Sequence, residues 1–177
     1  MNLEPFCHKG NYRWLDISQP FNYLGFTWAT DGRIIVRVPQ QDVPPPFPRV
    51  PSPELVSSVW EAYPAPGRAC WSILPVDSVP KVKRVKCEAC GGSGIYVDVP
   101  CGECDGKRSI PKPVPCGLGN RVFSNLYLRI MIENLPHPIE VATGYGSKEM
   151  PLAFRFPGGQ GLVMPMRSDT IPQVKVM

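Results

Sequence analysis

Residues 87–106 read CEACGGSGIYVDVPCGECDG and contain two Cys-x-x-Cys pairs, Cys87 with Cys90 and Cys101 with Cys104. The turn inside such a pair points both sulfurs the same way, and the small residues that follow leave backbone N–H groups free to donate to sulfur. The ten residues between the pairs are enough for a hairpin that returns the chain. We therefore predict one structural Zn²⁺ held by four thiolates, with no open coordination position for catalysis.

Cysteine usage in the rest of the chain favours a metal over disulfides. Cys7, Cys70 and Cys116 bring the total to an odd seven in 177 residues, and we expect them to be uninvolved in metal binding. The chain has no apolar run of transmembrane length, and the N-terminal MNLEPFCHKG lacks the basic region and apolar block of a signal peptide. These features predict a cytoplasmic protein without a membrane partner, where a disulfide or redox role is the less favoured alternative.

Basic side chains surround the cysteines, because residues 81–112 hold seven basic and four acidic residues. A zinc ion with four thiolates carries a charge of about 2−, which offsets most of this surplus. Two interpretations remain open, a solvated rim that compensates the thiolates and a phosphate-binding surface. For the second, the candidate nucleic-acid contacts are Lys83, Arg84, Lys86, Lys107 and Arg108, joined by Arg33 and Arg37.

The connection between the two pairs, residues 95–100, reads IYVDVP and alternates Ile95, Val97 and Val99 with Tyr96 and Asp98. A hairpin of this size contains too few atoms to bury both faces, so one face must be exposed unless it packs on the rest of the protein. We expect Tyr96 to be an aromatic anchor for a protein partner. If the partner is a nucleic acid, Tyr96 is the aromatic residue of this segment that can stack on a base.

Outside the cysteine segment, the clearest hairpin pattern is GFTWATDGRIIVRVP at residues 25–39. Asp31 and Gly32 tolerate the positive φ of a tight turn. Alternation predicts that the aromatic and aliphatic side chains share one face, and that Arg33 and Arg37 lie together on the opposite face.

Two segments have the helical spacing of apolar residues. The first, residues 53–63, has Ser52 as its predicted N-cap and inward side chains at Leu55, Val56, Val59 and Trp60. The second, residues 122–135, has inward side chains at Tyr127 or Leu128, Met131, Ile132 and Leu135. The proline-rich stretch at 43–53 predicts an extended connection. With strands at 150–156 and 161–167, this pattern predicts an α+β domain.

The first cysteine pair, CEACGGSG, resembles the C-x-x-C-x-G-x-G unit of DnaJ-type chaperone zinc domains. The second, CGECDGKR, matches that unit except that Arg108 stands where the last glycine belongs. That family carries more such units and two zinc ions, whereas this chain has ligands for one. The resemblance therefore implies the metal geometry and not the chaperone function.

The flanking segments resemble the sliding clamp of bacterial replication, the beta subunit of DNA polymerase III. The matching segments, in the order that the family uses, are WATDGRIIVRV at 28–38, VFSNLYLRIMIENLP at 122–136 and GLVMPMR at 161–167. The resemblance implies a single clamp-like α+β domain of antiparallel sheets with two helices. Residues 1–80 and 113–177 would form this domain, and residues 81–112 would be an inserted zinc-ribbon-like hairpin.

The clamp resemblance also implies a groove for short peptides, to which Met164, Pro165 and Met166 contribute; filling the core is the alternative role of these methionines. Clamps line their helices with Lys and Arg for phosphate contact, but here residues 53–63 contain no base and residues 122–135 contain only Arg129. We therefore expect that the protein does not encircle DNA.

Together these features predict a non-enzymatic binding protein. The two histidines, His8 and His137, are far apart in sequence, and no phosphate-binding glycine loop follows a strand, so no catalytic pair or small-molecule substrate is indicated. The small size and added zinc module suggest an accessory protein of a phage or mobile element, acting in the host cytoplasm on a host replication or defence protein. The alternative is a nucleic-acid-binding protein that uses the basic zinc hairpin.

Overall fold

The computed structural model describes residues 1–8, 17–42, 53–166 and 174–175. In this part of the chain the fold is mixed and rich in sheet, with two α-helices and sheets that are antiparallel except for one parallel pairing of residues 174–175 with 116–117, in agreement with the α+β prediction. The predicted proline-rich connection, the Ser52 N-cap and almost all of the tail after residue 166 lie outside the described residues. Neither described helix has the length and apolar character needed to cross a membrane.

The strands and helices of the described residues are, in chain order, β1 (Phe21–Tyr23), β2 (Phe26–Thr30), β3 (Ile34–Pro39), α1 (Pro53–Trp60), β4 (Ser72–Ile73), β5 (Lys83–Lys86), β6 (Ile95–Tyr96), β7 (Val99–Pro100), β8 (Ser109–Lys112), β9 (Pro115–Leu118), β10 (Arg121–Ser124), α2 (Asn125–Asn134), β11 (Glu140–Val141), β12 (Leu152–Phe156), β13 (Gly159–Val163) and β14 (Val174–Lys175). The central sheet has the order β1-β2-β3-β13-β12-β11-β4, and a second sheet has the order β10-β9-β14. Two separate ribbons, β5-β8 and β6-β7, belong to the cysteine segment.

Strands β2 and β3 form the hairpin that the sequence predicts. Its turn is fixed by Asp31, whose side chain accepts hydrogen bonds from the backbone N–H groups of Arg33 at 2.8 Å and Ile34 at 3.0 Å. Gly32 follows Asp31 with a φ of 87°, a conformation that a residue without Cβ adopts at little cost.

The register of this hairpin overturns the predicted position of Arg37. Trp28 pairs directly with Arg37, and directly opposed residues lie on the same face of an antiparallel pair. The guanidinium carbon of Arg37 lies 5.2 Å from the ring centroid of Trp28 and 4.3 Å from that of Phe26. The prediction that Arg37 lies on the face opposite the aromatic residues is therefore wrong. The prediction that the aromatic and aliphatic side chains share one face is wrong as well, because Val36 and Val38 pair with Ala29 and Thr27 and belong to the core on the other face.

Each face of the central sheet has its own apolar core. On one face, Val36 of β3 and Phe154 of β12 pack with Leu128 of α2 and with the second sheet. On the other face, Trp28 and Ile35 pack with α1 and the residues that follow it. The body of the protein, which comprises the described residues of 1–80 and 113–166, is thus stabilised by apolar burial on both sides of one sheet.

Helix α2 ends at Asn134 as the sequence indicates, but it begins at Asn125 rather than at residue 122, because residues 122–124 pair with β9 as part of β10. The Ser124 side chain accepts a hydrogen bond from Leu126 N at 3.2 Å, which satisfies one of the free N–H groups of the first turn. Leu128, Met131 and Ile132 are buried, as their helical spacing predicts, and the helix ends at Asn134 before Leu135.

Helix α1 covers most of its predicted range and differs in one inward position. Val56 is buried and Trp60 is half-buried, in agreement with the prediction. Val59 is 37% exposed, so its predicted inward position is wrong. The reason is that α1 lies against the sheet along a narrow stripe, and Val59 falls outside it. The side chain of Leu55 lies outside the described residues.

Helix α2 also holds the base of the cysteine segment. The buried Asn125 donates from its amide to the carbonyls of Pro80 at 3.1 Å and Lys81 at 3.3 Å, and its side-chain oxygen accepts from Val114 N at 2.7 Å. Arg129 donates to the carbonyl of Pro80 as well. Asn125 therefore holds the residues that enter the cysteine segment beside those that leave it. The independent folding of residues 81–112 stays a prediction.

Candidate metal centre and exposed hairpin tip

Four cysteine sulfurs meet at the end of the β5-β8 ribbon. The ligand atoms of Cys87, Cys90, Cys101 and Cys104 lie within 4.8 Å of one another. The Cys87–Cys101 sulfur distance is 3.9 Å and the Cys90–Cys104 distance is 3.8 Å, much longer than the roughly 2.05 Å of a disulfide. A tetrahedral ion with metal–sulfur bonds of about 2.3 Å has sulfurs about 3.8 Å apart. The predicted ligand set is therefore compatible with a structural metal ion.

The two Cys-x-x-Cys turns have the same backbone hydrogen bonds, so they are related by approximate two-fold symmetry. The amide of Cys87 donates to the Arg108 carbonyl at 3.0 Å, and the amide of Cys101 donates to the Gly94 carbonyl at 2.9 Å. Within each turn, a glycine amide five residues after the first cysteine returns to that cysteine's carbonyl, at 2.9 Å in the first turn and 3.2 Å in the second. Each turn is therefore held by a hydrogen bond within itself and by a hydrogen bond to the other turn.

Equivalent positions of the two turns also share the left-handed backbone conformation. Gly92 and Gly106 have φ values of 77° and 71°, and Gly94 corresponds to Arg108, with φ values of 82° and 65°. Arg108 stands where the repeat pattern has glycine, and its backbone keeps the glycine conformation at a cost of about 1 kcal/mol or more. The sequence departure at this position therefore leaves the turn geometry unchanged.

The close approach of the two turns explains why one of these glycines is required. A Cβ on Gly94 would lie 2.5 Å from the carbonyl oxygen of Gly106, a distance that backbone atoms cannot accept. The amide of Gly94 also donates to the sulfur of Cys90 at 3.3 Å. Such donors stabilise a thiolate and orient it toward a metal.

The thiols differ in how easily they ionise. Burial opposes ionisation of Cys90, but the N–H groups of Gly94 and Gly92 and the neighbouring thiols outweigh it and lower the pKa of Cys90 to about 6. Burial raises the pKa of Cys104 to about 11, although the N–H of Arg108 acts in the opposite direction. Because a coordinated thiol loses its proton, binding of a metal at neutral pH would release protons chiefly from the more resistant members of the cluster.

Beyond the cysteines, strands β6 and β7 form a short hairpin, the apolar tip, which comprises residues 95–100. Its side chains Ile95, Tyr96, Val97 and Val99 are 58%, 58%, 79% and 57% exposed. The predicted exposure is confirmed, and it holds for both faces, because Tyr96 pairs with Val99 and Ile95 pairs with Pro100. The role of Tyr96 in binding a partner stays a prediction.

The turn of the apolar tip is unusual in its residues. Val97 and Asp98 have φ values of 48° and 62° at the two central positions. A two-residue hairpin turn of this kind favours Asn-Gly or Asp-Gly, and a β-branched residue with positive φ is a true outlier. The sequence contains no glycine here that would have signalled the turn.

The three other predicted contacts, Met164, Pro165 and Met166, directly follow β13 in the chain. Met164 is 42% exposed and its amide donates to the Arg33 carbonyl at 2.8 Å, while the amide of Met166 donates to the Val122 carbonyl at 2.7 Å. Met164 therefore does not fill the core, and the half-buried Met166 bridges two strands. Their part in a peptide groove stays a prediction.

The candidate nucleic-acid residues lie on two parts of the molecule, the cysteine segment and the body. Lys83 lies opposite Lys112 on the β5-β8 ribbon, and Lys107 pairs with Asp105 at 3.5 Å beside the second cysteine turn. Arg84 donates to the side chain of Ser109 at 2.9 Å. The remaining candidates are the exposed Lys86 and Arg108 near the cysteines and, on the body, Arg33 in the β2-β3 turn and Arg37 among aromatic rings.

Sequence reasoning missed a row of polar side chains across the central sheet. Arg37, Gln160, Arg155 and Glu140 are successive neighbours on β3, β13, β12 and β11. Arg155 donates two hydrogen bonds to Glu140, at 2.7 and 3.1 Å, and with its amide oriented to suit its neighbours Gln160 accepts from Arg37 and donates to Tyr63.

Aromatic rings cover this row. Trp60 and Tyr63 stack with centroids 4.9 Å apart, and the Arg37 guanidinium lies 3.9 Å from the Trp60 centroid. Burial lowers the pKa of Arg37 and raises that of Tyr63. The faces of these rings are occupied by the protein's own side chains, so the row stabilises α1 on the sheet. No sequence signal could reveal it, since it depends on the register of four strands.

The chain has no significant match to a protein-family model, a characterised protein or a solved structure. The assignment of the candidate metal centre therefore depends on the geometry of the four cysteines alone.

Proposed function

We propose that the protein is a non-enzymatic, zinc-containing binding protein, and that the apolar tip is its contact surface for a protein partner. The observation that carries this proposal is the exposure of four large apolar side chains at the end of a module fixed by a cluster of metal ligands. Soluble proteins rarely leave such side chains together in water unless they serve an interaction.

The conformation of the tip supports the same conclusion. A valine at φ 48° costs about 1 to 2 kcal/mol compared with glycine or asparagine. Backbone strain of this kind persists only where the surrounding structure enforces it, and strained residues cluster at functional sites. The strained turn therefore supports a functional role for the tip. The strained turn presents Val97, the most exposed of the four apolar side chains, at the extreme end of the hairpin.

A metal makes such a small surface effective. Four thiolates that hold one ion fix the two turns at the base of the tip, so binding costs little ordering entropy. Zinc is the ion that suits a closed, structural four-thiolate site in a protein without redox function. A closed site also leaves no position for a substrate, which agrees with the non-enzymatic proposal.

The clamp resemblance extends this proposal to the partner. A single clamp-like domain whose helices lack the basic lining of a clamp fits an accessory protein of a phage or mobile element, which engages a host replication or defence protein. The exposed Met164 on the body is the second contact that this relationship suggests, and it is independent of the tip.

The test uses a photo-crosslinking amino acid in place of Tyr96, with the exposed Lys148 as the matched control position. We expect a discrete crosslinked protein from position 96 and none from position 148. With that protein purified, Tyr96→Ala should weaken binding by about 1 to 3 kcal/mol, the usual range for a central aromatic anchor, at unchanged metal content. Equal crosslinking at both positions, or normal binding of Tyr96→Ala, would contradict the proposal.

A second variant separates binding from stability. Replacing the turn by Val97→Asn with Asp98→Gly installs the residues that this turn favours, so we expect a more stable tip and weaker binding. A variant that gains stability and binds as well as the wild type would show that the strained valine has no role in the contact.

Nucleic-acid binding is the second candidate function. The observation in its favour is that Lys83 and Lys112 lie directly opposite each other, and neither makes an ion pair within the described residues. If these cations and Lys86 bind phosphate, affinity should fall steeply with salt, whereas binding through the apolar tip should change little. Loss of partner binding on neutralising the lysines, with Tyr96→Ala unaffected, would favour this candidate.

A further inference from the structure

The two faces of the β5-β8 ribbon have different surroundings. Arg84 and Ser109 share one face, which borders a cleft of about 410 Å³ against the N-terminal residues and helix α2 of the body. Val85 and its partner Ile110 lie on the other face, which we call the outer face. The outer face carries an open groove of about 720 Å³ that is lined by residues from 85–91 and 110–113. This groove is therefore formed by the cysteine segment and the start of the chain that leaves it.

The floor of the groove is apolar. Val85 pairs with Ile110, and Pro111 and Pro113 extend the apolar lining. Val85 is 36% exposed and belongs to neither apolar core of the body. An apolar side chain from another molecule would therefore remove apolar surface from water on both sides of the contact.

One end of the groove, at the base of the ribbon, is cationic. Lys83 and Lys112 are directly opposed on the outer face, and like charges in such a pair cost stability. Neither lysine makes an ion pair with a described residue. The two lysines lie two strand positions from Val85 and Ile110, which corresponds to roughly 7 Å. A carboxylate at this end would meet two unpaired cations.

The other end of the groove is anionic. Glu88 lines the groove beside Cys87, and it has no ion pair in the part of the chain that the structure describes. Cys87 belongs to the candidate metal centre, and four thiolates around a divalent ion carry a charge of about 2−. Lys86 also lines this end and offsets part of that charge. An ammonium or guanidinium group would therefore be stabilised at this end, and a phosphate would be repelled.

A groove with opposite charges at its ends and an apolar floor selects an occupant with the complementary pattern. The groove spans four strand positions from Lys83 to Cys87, roughly 14 Å, which is the length of about five extended residues. In an extended chain the first, third and fifth side chains point the same way. A nucleic acid fits less well, because its phosphates repeat along the strand and the lining offers no aromatic ring for base stacking.

We propose that the outer face of the β5-β8 ribbon binds an extended segment of a partner protein in which an acidic, an apolar and a basic residue occupy alternate positions. The acidic side chain lies between Lys83 and Lys112. The apolar side chain lies over Val85, and the basic side chain lies beside Glu88. The segment is bound through its side chains, and the backbone edges of the ribbon take no part. This site goes beyond the apolar tip and does not depend on it.

The experiment measures fluorescence anisotropy of labelled peptides with the full-length, metal-loaded protein. The probe peptide is Gly-Glu-Ser-Leu-Ser-Lys-Gly. Three control peptides change one position each: lysine to glutamate, glutamate to lysine, or leucine to serine. We expect saturable binding of the probe peptide, at least about tenfold tighter than each control, because each control lacks one of the three contacts.

Charge-swapped variants test the two ends of the groove separately. Glu88→Lys makes both ends cationic, so it should prefer the peptide with two glutamates. Lys83→Glu with Lys112→Glu makes both ends anionic, so it should prefer the peptide with two lysines. Val85→Ser removes apolar floor and should bind the probe peptide and its serine control equally. Lys148→Gln, which removes an exposed cation of the body, should bind like the wild type, and metal content checks the folding of each variant.

The proposal is overturned if the probe peptide does not bind, if it binds no tighter than the controls, or if the charge-swapped variants keep the wild-type preference. Tighter binding of a labelled single-stranded oligonucleotide than of the probe peptide would assign the ribbon to nucleic acid instead. These measurements do not involve Tyr96, so their failure would leave the proposed contact through the apolar tip unchanged.

Discussion

The body and the cysteine segment solve the same problem of stability by different means. The body buries apolar side chains on both faces of a seven-stranded sheet. The buried cluster of the cysteine segment consists of Cys87, Cys101 and Cys104, with Ile110 and Cys90 beside it. The apolar side chains of this segment that could have formed a core of its own are instead exposed at the tip. The four clustered cysteines therefore stand where an apolar core would otherwise be, and the apolar residues of the tip stay exposed.

Removal of the metal should have the largest effect and should be confined to one region. A strong chelator removes an interaction of the order of 10 kcal/mol, and the cysteine segment has no core to compensate for it. Hydrogen exchange measured by mass spectrometry should show loss of protection for residues 83–112 and little change in the central sheet. Loss of protection throughout the chain would show that the two regions fold as one unit.

The reciprocal change is Leu128→Ala in helix α2, where the side chain is fully buried. The cavity should reduce the free energy of unfolding of the body by about 2 to 5 kcal/mol. Because no sulfur ligand contacts this core, bound metal per folded molecule should stay unchanged, as measured by native mass spectrometry. Release of metal from the folded variant would show that the stability of the cysteine segment depends on the core of the body.

Within the cysteine segment, Gly94→Ala tests the close approach of the two turns. The added Cβ meets a carbonyl oxygen at 2.5 Å and the residue has positive φ, so we expect a cost of about 2 to 4 kcal/mol, measured as weaker metal binding in competition with a chelating dye. Gly102→Ala is the matched control, because its Cβ meets nothing within 4 Å. Equal metal affinities of the two variants would exclude the close approach.

Arg108→Gly tests the smallest expected effect, which comes from the one position where the second cysteine turn has arginine and the first has Gly94. Glycine at φ 65° removes the strain of a side chain and restores the repeat pattern, so metal affinity should rise by about 0.5 to 1 kcal/mol. Lys107→Gly, at a neighbouring position without positive φ, should lower affinity by a similar amount. An unchanged affinity for Arg108→Gly would mean that the arginine compensates for its strain through contacts of its side chain.

Several of these features could be predicted from the sequence because they are local. Two Cys-x-x-Cys pairs and the intervening residues determine the candidate ligand set, and Asp31-Gly32 marks a turn within a few residues. The exposure of the tip followed from its small size. The glycine position occupied by Arg108 was visible as a departure from the repeat.

The features that could not be predicted depend on how distant strands align. The predicted face of Arg37 was wrong because the true face follows from the pairing of Trp28 with Arg37. The polar row that continues from Arg37 to Gln160 and Glu140 depends on three further strand pairings. Local patterns determine residue chemistry, whereas register determines which residues meet.

X-ray absorption spectroscopy of the purified protein, together with its metal content, tests the central claim most directly. The account predicts one zinc per chain with four sulfur ligands at about 2.3 Å, and loss of that zinc in Cys101→Ser with Cys104→Ser but not in Cys70→Ser. Iron in place of zinc, nitrogen or oxygen ligands in the first coordination sphere, or full zinc retention by the double cysteine variant would contradict it.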